Sequence, residues 1–304
     1  MRVLARRKRN YLQFLLLILP ALIIYSLFHV IPILQDLGIA MSDALSVGSK
    51  ANFVGFRNFK TLLFDRGPQN EMFFRSFFWT LIFWLGNWTL NIVMGFGFAL
   101  MLYERVKFRK TFLIVIFLPY VVSNLAIGFI IRLILDPGNG AINWLLLKSS
   151  LVKEPVQFLR EGWTASLTLI LITGWKFAGF NLVLFLAGLV MIPKDTLEAA
   201  IIDGCSYFRK LFRIVIPQMW PTIIAVSVLC FTGTWQLFAL PVALVGTTHG
   251  GVKSIDVLAV VFYRWAFGRE GVGLASAMMV IIALLLLLGS LILLNLIKKK
   301  TVEY

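Results

Sequence analysis

The chain has 304 residues, of which 60% are hydrophobic and only 14% are charged. About a quarter of the residues in a soluble domain are charged, so this composition excludes an ordinary soluble domain. The net charge is +15, but the basic residues do not form one patch interleaved with aromatic residues, which argues against a nucleic-acid partner. They flank long uncharged stretches, a distribution typical of a chain that crosses a membrane.

Six apolar runs are each long enough to cross a lipid bilayer, because a helical span needs roughly 20 apolar residues. A single span must satisfy its own backbone hydrogen bonds, and the sequence lacks the alternation of a membrane β-barrel. We therefore predict an all-α polytopic membrane protein with six transmembrane helices, in which residues 1–304 form a single transmembrane domain. The predicted spans are residues 11–34, 77–102, 112–135, 165–191, 219–245 and 273–297.

Lysine and arginine are concentrated in four short segments, which indicates the orientation of the spans. The other connections, residues 35–76, 136–164 and 246–272, are longer and carry their basic residues more sparsely. The positive-inside rule therefore predicts that the four basic segments, and with them both termini, are cytoplasmic. The basic residues are Arg6, Arg7, Lys8 and Arg9; Arg105, Lys107, Arg109 and Lys110; Lys194, Arg209, Lys210 and Arg213; and Lys298, Lys299 and Lys300.

Neither the cysteines nor the N-terminus indicates processing or a metal centre. Cys205 and Cys230 lie in unlike contexts without a pairing or ligand spacing, so we expect them to pack rather than to form a disulfide or bind metal. The first apolar run is too long for a cleavable signal peptide and lacks a small-residue cleavage site.

The cytoplasmic loop at residues 193–217 has the pattern of two short helices. Asp195 followed by Glu198 predicts an N-cap with its capping-box partner, and Gly204 is placed to end the first helix. Ser206 is predicted to cap a second helix, which Pro217 would stop. Such a pair could form a platform for a partner, or an amphipathic loop that rests on the lipid headgroups. The apolar positions are Leu197, Ala200 and Ile201 in the first helix and Phe208, Leu211, Phe212 and Val215 in the second.

This loop resembles the EAA loop of the inner-membrane subunits of binding-protein-dependent ABC importers. It reads Glu198-Ala199-Ala200, three residues, Gly204, nine residues and Ile214-x-Ile216-Pro217, and it departs from the usual form only in having Ile216 for Leu. Other motifs are similar to the carbohydrate branch of the family, and in particular to the subunit type of the larger maltose permease and its glycerol-phosphate counterpart. These motifs are residues 53–59, 118–119, 186–189, 192–193, 203–204 and 271–277.

The resemblance implies a MetI-like transmembrane domain whose loop docks into a cleft on a cytoplasmic ATPase. It assigns ATPase coupling to Glu198, Ala199, Ala200, Asp203, Gly204, Ile214 and Pro217. Glu198 would face basic residues of the ATPase, the two alanines would permit close approach, and Gly204 would set the turn. The implied partners are a second related permease, an ABC ATPase dimer and an extracytoplasmic solute-binding protein, in the inner membrane of a bacterium.

The sequence offers no catalytic or nucleotide-binding constellation. It contains no Walker motif, so ATP and Mg²⁺ are expected on separate ATPase subunits, with no cofactor in this chain. None of the six runs contains Asp or Glu, which argues against an ion-coupled carrier. The two histidines, His29 and His249, supply neither a metal set nor a catalytic base with a nucleophile.

Polar and aromatic residues inside the spans are candidates for the substrate path. A lysine well inside a span, such as Lys176, should face protein or a wet cavity because it is costly in hydrocarbon. Aromatic faces beside amides suit a sugar, which has apolar faces and a rim of hydroxyl groups. The same side chains could instead join helices or form an interfacial belt. The candidates are Asn91, Asn124, Trp175, Lys176, Asn181, Trp235 and Gln236.

The favoured function is the permease subunit of an ABC importer that conducts a sugar or oligosaccharide by ATP-driven alternating access. The alternative within the same class is an importer of a polyol or glycerol phosphate; Lys176 could help to attract the phosphate. An ion-coupled secondary carrier is the alternative from another class. By the resemblance, the external segment at residues 246–272 would lie near the docked binding protein; otherwise it is a long connection.

Overall fold

The computed structural model describes residues 14, 16–46, 48–104, 106–160, 162–246 and 255–300. Several predicted basic residues, namely Arg6, Arg7, Lys8, Arg9 and Arg105, lie outside the described residues, as do residues 11–13 and His249. The helices, numbered in chain order, are Leu16–Ala40 (α1), Arg57–Leu63 (α2), Pro68–Tyr103 (α3), Arg109–Val121 (α4), Asn124–Ile134 (α5), Ala141–Lys148 (α6), Trp163–Val190 (α7), Lys194–Ile202 (α8), Tyr207–Gln218 (α9), Trp220–Trp235 (α10), Ala239–Val245 (α11), Leu258–Ala266 (α12) and Val272–Lys300 (α13).

Four described helices, α1, α3, α7 and α13, are long and apolar enough to cross a membrane. Two further pairs pass the same test but are bent, α4 with α5 by 94° and α9 with α10 by 66°. The described residues therefore contain four candidate spans, or six if each bent pair is one span. The prediction of an all-α membrane protein is confirmed, and the cytoplasmic position of the termini stays a prediction.

The third predicted span, residues 112–135, is not one straight helix as we expected. α4 ends at Val121, and Ser123 adopts an extended conformation (φ −54°, ψ 140°) before α5 begins. Pro119 lies in the last turn of α4, where it has no N–H to donate to the carbonyl four residues earlier and its ring crowds that carbonyl. The proline weakens the helix just before the point at which it breaks.

The fifth predicted span, residues 219–245, is also interrupted. α10 ends at Trp235, and the separate helix α11 begins at Ala239. A continuous helix would place the ring of Pro241 against the carbonyl of Leu237, whereas in the first turn of α11 the proline is tolerated. The prediction of one uninterrupted helix over these residues is therefore wrong.

The second halves of the two interrupted spans, α5 and α11, pack against each other. They approach so closely at Gly128 that a methyl group there would lie 2.4 Å from the Cβ of Ala243. Around this point Ile127, Leu240 and Leu244 are buried in one hydrophobic cluster. Each short helix thus buries its apolar surface against the other.

The described residues divide into two compact units, one within residues 1–66 and 265–281 and the other within 67–264 and 282–304. The prediction of a single domain over residues 1–304 stays a prediction. In the first unit, α1 runs beyond the predicted residue 34 to Ala40 and so includes Asp36. The hydroxyl of Ser276 donates a hydrogen bond of 2.5 Å to this carboxylate.

Two sequence motifs that are far apart in the chain meet in the first unit at the turn after α1. The side-chain amide of Asn58 donates to the carbonyls of Ala40 (2.9 Å) and Ser42 (2.8 Å). The backbone N–H of Gly273 donates to the carbonyl of Ala44 at 2.9 Å. A Cβ atom at Gly273 would lie only 2.3 Å from the carbonyl oxygen of Ser42. The motifs at residues 53–59 and 271–277 therefore shape one turn.

We expect Gly273→Ala to destabilise the first unit, because the added methyl group meets backbone that cannot rotate away. Overpacking of this kind costs about 1–3 kcal/mol. Gly38→Ala is the matched control, since a Cβ atom there would have no neighbour within 4 Å, and alanine improves helix propensity by up to about 1 kcal/mol. Thermal unfolding in detergent should therefore show a lower Tm for Gly273→Ala and an equal or higher Tm for Gly38→Ala. Equal Tm values for both variants would contradict the close approach.

Candidate functional site

The cytoplasmic loop forms two helices, α8 and α9, joined by a tight turn at Gly204. Gly204 has φ +70°, a left-handed conformation that glycine adopts without a side-chain clash. Its N–H donates to the carbonyl of Ile201 (3.0 Å), and the N–H of Cys205 donates to the carbonyl of Ala200 (2.9 Å). These two bonds form a Schellman motif. The prediction that Gly204 ends the first helix is confirmed.

The two ends of the loop differ from the prediction. α8 begins at Lys194 with Pro193 at the N-cap and no side-chain capping bond, so the assignment of Asp195 as the N-cap is wrong. Asp195 instead lies in the first turn, where its negative charge interacts favourably with the positive end of the helix dipole. Pro217 does not stop α9 either, since the helix passes through a wider π-turn at Leu211–Val215 and continues to Gln218. The wider turn accommodates the proline ring.

The loop has a packed side and an exposed side. Ala200 is buried, and Leu197 packs against the hydrophobic cluster that contains Leu189 of α7. Two of the predicted apolar positions, Phe208 and Phe212, are exposed, and Ile201, which we expected on the packed side, is exposed too. Of the predicted coupling residues, Glu198, Ala199, Asp203, Gly204 and Pro217 are exposed, Ile214 is half-buried and Ala200 is buried. The exposed side is thus available to a partner, and the packed side is continuous with the core of the spans.

A cavity of about 280 Å³ lies inside the second unit, between α3, α7, α10 and the end of α4. Three of the predicted path residues, Asn91, Asn181 and Gln236, line it. The other lining residues are uncharged: Asn87, Tyr120, Thr173, Phe177, Phe180, Leu229, Cys230, Thr232, Gly233, Thr234 and Leu237. The cavity therefore combines amides and hydroxyls with an aromatic wall.

Buried amides connect three helices through a directed chain of hydrogen bonds, which we call the amide ladder (Asn181, Asn91, Asn87 and Thr234). Asn181 of α7 donates to the Oδ1 of Asn91 at 2.6 Å, and Asn91 donates to the Oδ1 of Asn87 at 2.7 Å, both in α3. Asn87 then donates to the hydroxyl of Thr234 in α10 at 3.0 Å. All four side chains are buried. The amide ladder thus ties together the three helices that surround the cavity.

The direction of the amide ladder leaves different groups at its two ends. The Oδ1 of Asn181 accepts no hydrogen bond from the described residues, and the hydroxyl hydrogen of Thr234 likewise has no acceptor among them. Both residues line the cavity. One end therefore offers an acceptor and the other a donor, a combination that a hydroxyl group, itself donor and acceptor, can satisfy.

The other predicted path residues do not line the cavity. Trp175 is 47% exposed, and the ring of Trp235 is buried against Phe77 and Phe231. Lys176 is 2% exposed, and its ammonium is bound by backbone carbonyls at the break after α4. Asn124 is the first residue of α5. The role of these four side chains on the path stays a prediction.

Sequence reasoning missed the aromatic wall of the cavity, which consists of Tyr120, Phe177 and Phe180. The ring of Tyr120 stacks on that of Phe180 with centroids 4.8 Å apart and lies 5.8 Å from that of Phe177. A signal was present, because Thr173, Phe177 and Phe180 follow helical spacing and so share one face of α7. That face could have been recognised, but nothing in the order of the residues indicates that it borders a cavity.

In the described part of the chain, no three His, Cys, Asp or Glu side chains group in a way that could hold a metal ion. Apolar candidate spans around an uncharged polar cavity, joined to an exposed helical loop, are the arrangement expected of a membrane translocation subunit. Such a subunit binds and conducts a solute without covalent chemistry.

The comparisons with known proteins agree with this class. Residues 91–302 match the family described as the binding-protein-dependent transport system inner membrane component. The trehalose/maltose transport system permease protein MalF of Thermococcus litoralis is 30% identical over 271 residues, which cover 89% of each chain. The sn-glycerol-3-phosphate transport system permease protein UgpA of Pectobacterium atrosepticum is 27% identical over 278 residues, again 89% of each chain.

One solved structure with a similar fold belongs to a bacterial ABC transporter involved in the import of the acidic polysaccharide alginate. Its TM-score is 0.82 at 23% identity, with 99% of this chain and 100% of that chain covered, so the likeness concerns the fold. The chain belongs to the family of binding-protein-dependent transport system inner membrane components. It is a permease subunit of an ABC importer rather than an enzyme, and the family resemblance inferred from the EAA loop is confirmed.

The amide ladder generates a prediction about stability. Asn91→Ala removes both the acceptor for Asn181 and the donor to Asn87. The losses in free energy of unfolding caused by Asn91→Ala and by Asn181→Ala should therefore not be additive. Side-chain hydrogen bonds within membranes are worth about 0.6 kcal/mol on average and up to roughly 1.7 kcal/mol. A double-mutant cycle on the free energy of unfolding in mixed micelles should give a coupling energy in that range.

Thr89→Ala provides the control for this cycle, because the hydroxyl of Thr89 donates to the carbonyl of Leu85 in its own helix. Its effect should add to that of Asn181→Ala within about 0.3–0.5 kcal/mol, as expected for independent sites. Additive energies for Asn91→Ala with Asn181→Ala would contradict the hydrogen bond between them.

Proposed function

We propose that this chain is the permease subunit that conducts an uncharged sugar or oligosaccharide across the inner membrane of a bacterium. The observation that carries the proposal is the cavity, in which amide and hydroxyl groups face an aromatic wall and no charged side chain is among the lining residues. Relatives that include a trehalose/maltose permease support the same solute class.

The chemistry of the cavity suits a polyhydroxylated solute. The apolar faces of a sugar ring can lie against Phe177 and Phe180, while its hydroxyls replace water at Asn181 and Gln236. A site whose polar groups need hydroxyl partners also rejects solutes that lack them, because those groups would be left unpaired.

The exposed side of the cytoplasmic loop is the proposed contact with an ATPase subunit. Ile202 is 85% exposed and Phe208 is 70% exposed, so the loop presents apolar side chains that a partner could cover. Glu198 is exposed on the same short helix and offers a charge to basic residues of that partner. In this proposal a second related permease completes the pore, an external binding protein delivers the solute, and ATP and Mg²⁺ bind to the cytoplasmic ATPase dimer.

Uptake by the reconstituted complex tests the proposed solute class. The permease, its partner subunits and its binding protein, placed in liposomes with ATP inside, should accumulate a neutral sugar such as trehalose or maltose with saturable kinetics. Glycerol 3-phosphate should not be accumulated, because no cationic side chain is among the described residues that line the cavity. Accumulation of glycerol 3-phosphate but of neither sugar would reverse the assignment of solute, and uptake without ATP or partner chains would show an ion-coupled carrier instead.

Charge reversal at the loop tests the proposed ATPase contact. We expect Glu198→Lys and Gly204→Asp to insert normally but to lose ATP-driven uptake, the first by repelling basic residues of the ATPase. The second adds a charged side chain at φ +70°, a left-handed conformation that Asp adopts less readily than glycine. Co-purification of the ATPase and solute-stimulated ATP hydrolysis are the measurements.

Glu154→Lys is the matched control for the charge reversal, because Glu154 is exposed in the connection between α6 and α7. It should leave ATPase binding and uptake at the level of the parent protein. Normal ATPase recovery and uptake in both loop variants would remove the loop from the coupling mechanism.

A further inference from the structure

Lys176 of α7 is the one buried lysine among the described residues of the spans. Its Nζ lies 3.1 Å from the carbonyl oxygen of Pro119, 3.2 Å from that of Tyr120 and 2.5 Å from that of Val122. These carbonyls belong to the last turn and the C-cap of α4, immediately before the 94° bend into α5.

The end of α4 requires such a partner. The last carbonyls of a helix have no N–H partner within that helix, and hydrocarbon supplies none. The partial negative charge at a helix C-terminus also favours a nearby cation. Since an ammonium group has three N–H donors, Lys176 can satisfy all three carbonyls at once.

The same contact fixes one wall of the cavity. Tyr120, whose carbonyl accepts from Lys176, places its ring against Phe177 and Phe180 of α7. Three residues after Lys176, α7 and α4 touch through their backbones, and a Cβ at Gly179 would lie 2.3 Å from the carbonyl oxygen of Ile116. Lys176 and Gly179 thus hold the last turns of α4 on one face of α7.

We propose that Lys176 is a positioning residue that holds the break between α4 and α5, and with it the ring of Tyr120 in the wall of the cavity. It is not a cation that binds the solute, because its three donors are engaged by carbonyls and it is absent from the cavity lining. The inference rests on the proposed function only in treating this cavity as the solute site.

Loss of the ammonium should let the chain straighten. Without Lys176, these carbonyls have lost their donor. They can find N–H partners again if the helix continues through residues 122–124. Two spin labels, at Phe112→Cys in α4 and Leu133→Cys in α5, would report this change. Their Cα atoms would be about 21 Å apart across the 94° bend and about 31 Å apart in one straight helix, at 1.5 Å of rise per residue.

The experiment uses the whole reconstituted complex in a common Cys205→Ser background, in which Cys230 is kept because it lines the cavity and is buried from a thiol-reactive label. We expect Lys176→Met to lengthen the label distance by about 10 Å. It should also lower the maximal rate of trehalose or maltose uptake by roughly tenfold or more, because small displacements of positioned groups cost large factors in rate. Lys176→Arg, which keeps several donors, should retain the short distance and most of the rate. Lys148→Met, the control, removes an exposed lysine that lies over the ring of Trp144 and should change neither.

Two results would overturn the proposal. One is an unchanged label distance in Lys176→Met together with a changed apparent KM at constant maximal rate, which would make Lys176 a solute contact. The other is a lengthened distance with normal uptake. Lys176→Gln, which keeps two donors, replaces the methionine variant if that protein does not insert. Failure of the parent complex to take up either sugar would count against the proposed function alone, because the label distances still test the role of Lys176 at the break.

Discussion

Where a helix ends within the hydrocarbon, its unpaired N–H and C=O groups must find hydrogen-bond partners inside the protein, because lipid offers none. Two breaks in the second unit, after Val121 and after Trp235, are subject to this constraint. At the first, the ammonium of Lys176 meets the free carbonyls. At the second, the N–H of Leu237 donates to the carbonyl of Thr234, which tightens the last turn. The cavity lies where these two breaks come together, since Tyr120, Thr234 and Leu237 all line it.

Polar groups in this region are paired with one another in a way that gives the cavity its chemistry. An isolated amide in an apolar interior is costly, but the amide ladder gives each side chain a partner on a neighbouring helix or in its own. Within the described residues, the Oδ1 of Asn181 and the hydroxyl hydrogen of Thr234 are among the groups that stay available. The same bonds that join α3, α7 and α10 therefore determine which hydrogen bonds a solute can make, so packing and recognition cannot be changed independently.

The cytoplasmic loop is connected to this region through packing rather than through polar contacts. Leu197 of α8 and Leu211 of α9 pack against the cluster that also contains Leu182 and Phe185 of α7. Because α7 carries Asn181 beside those residues, a displacement of the loop would be transmitted along a helix that borders the cavity. Closely packed cores move as discrete units rather than deforming continuously, which suits the transmission of a switch.

The sequence by itself determined the features that depend on neighbouring residues in the chain. The apolar runs predicted an all-α membrane protein, and the spacing from Glu198 to Gly204 predicted a helix that ends in a left-handed glycine, because both features arise from local hydrogen bonds and hydrophobic periodicity. It was less reliable where two local signals competed, as with Asp195 and Pro193 at the start of α8.

Only the tertiary structure decided where the spans break and which way their polar side chains face. The breaks after Val121 and Trp235 are accompanied by the close packing of α5 against α11, which no single apolar run reveals. Trp175 and Lys176 are adjacent in the chain, yet one is half-exposed on the surface of α7 and the other is bound to the end of α4. The sequence of a single span does not determine how its helix is rotated about its own axis, because contacts with neighbouring helices set that rotation.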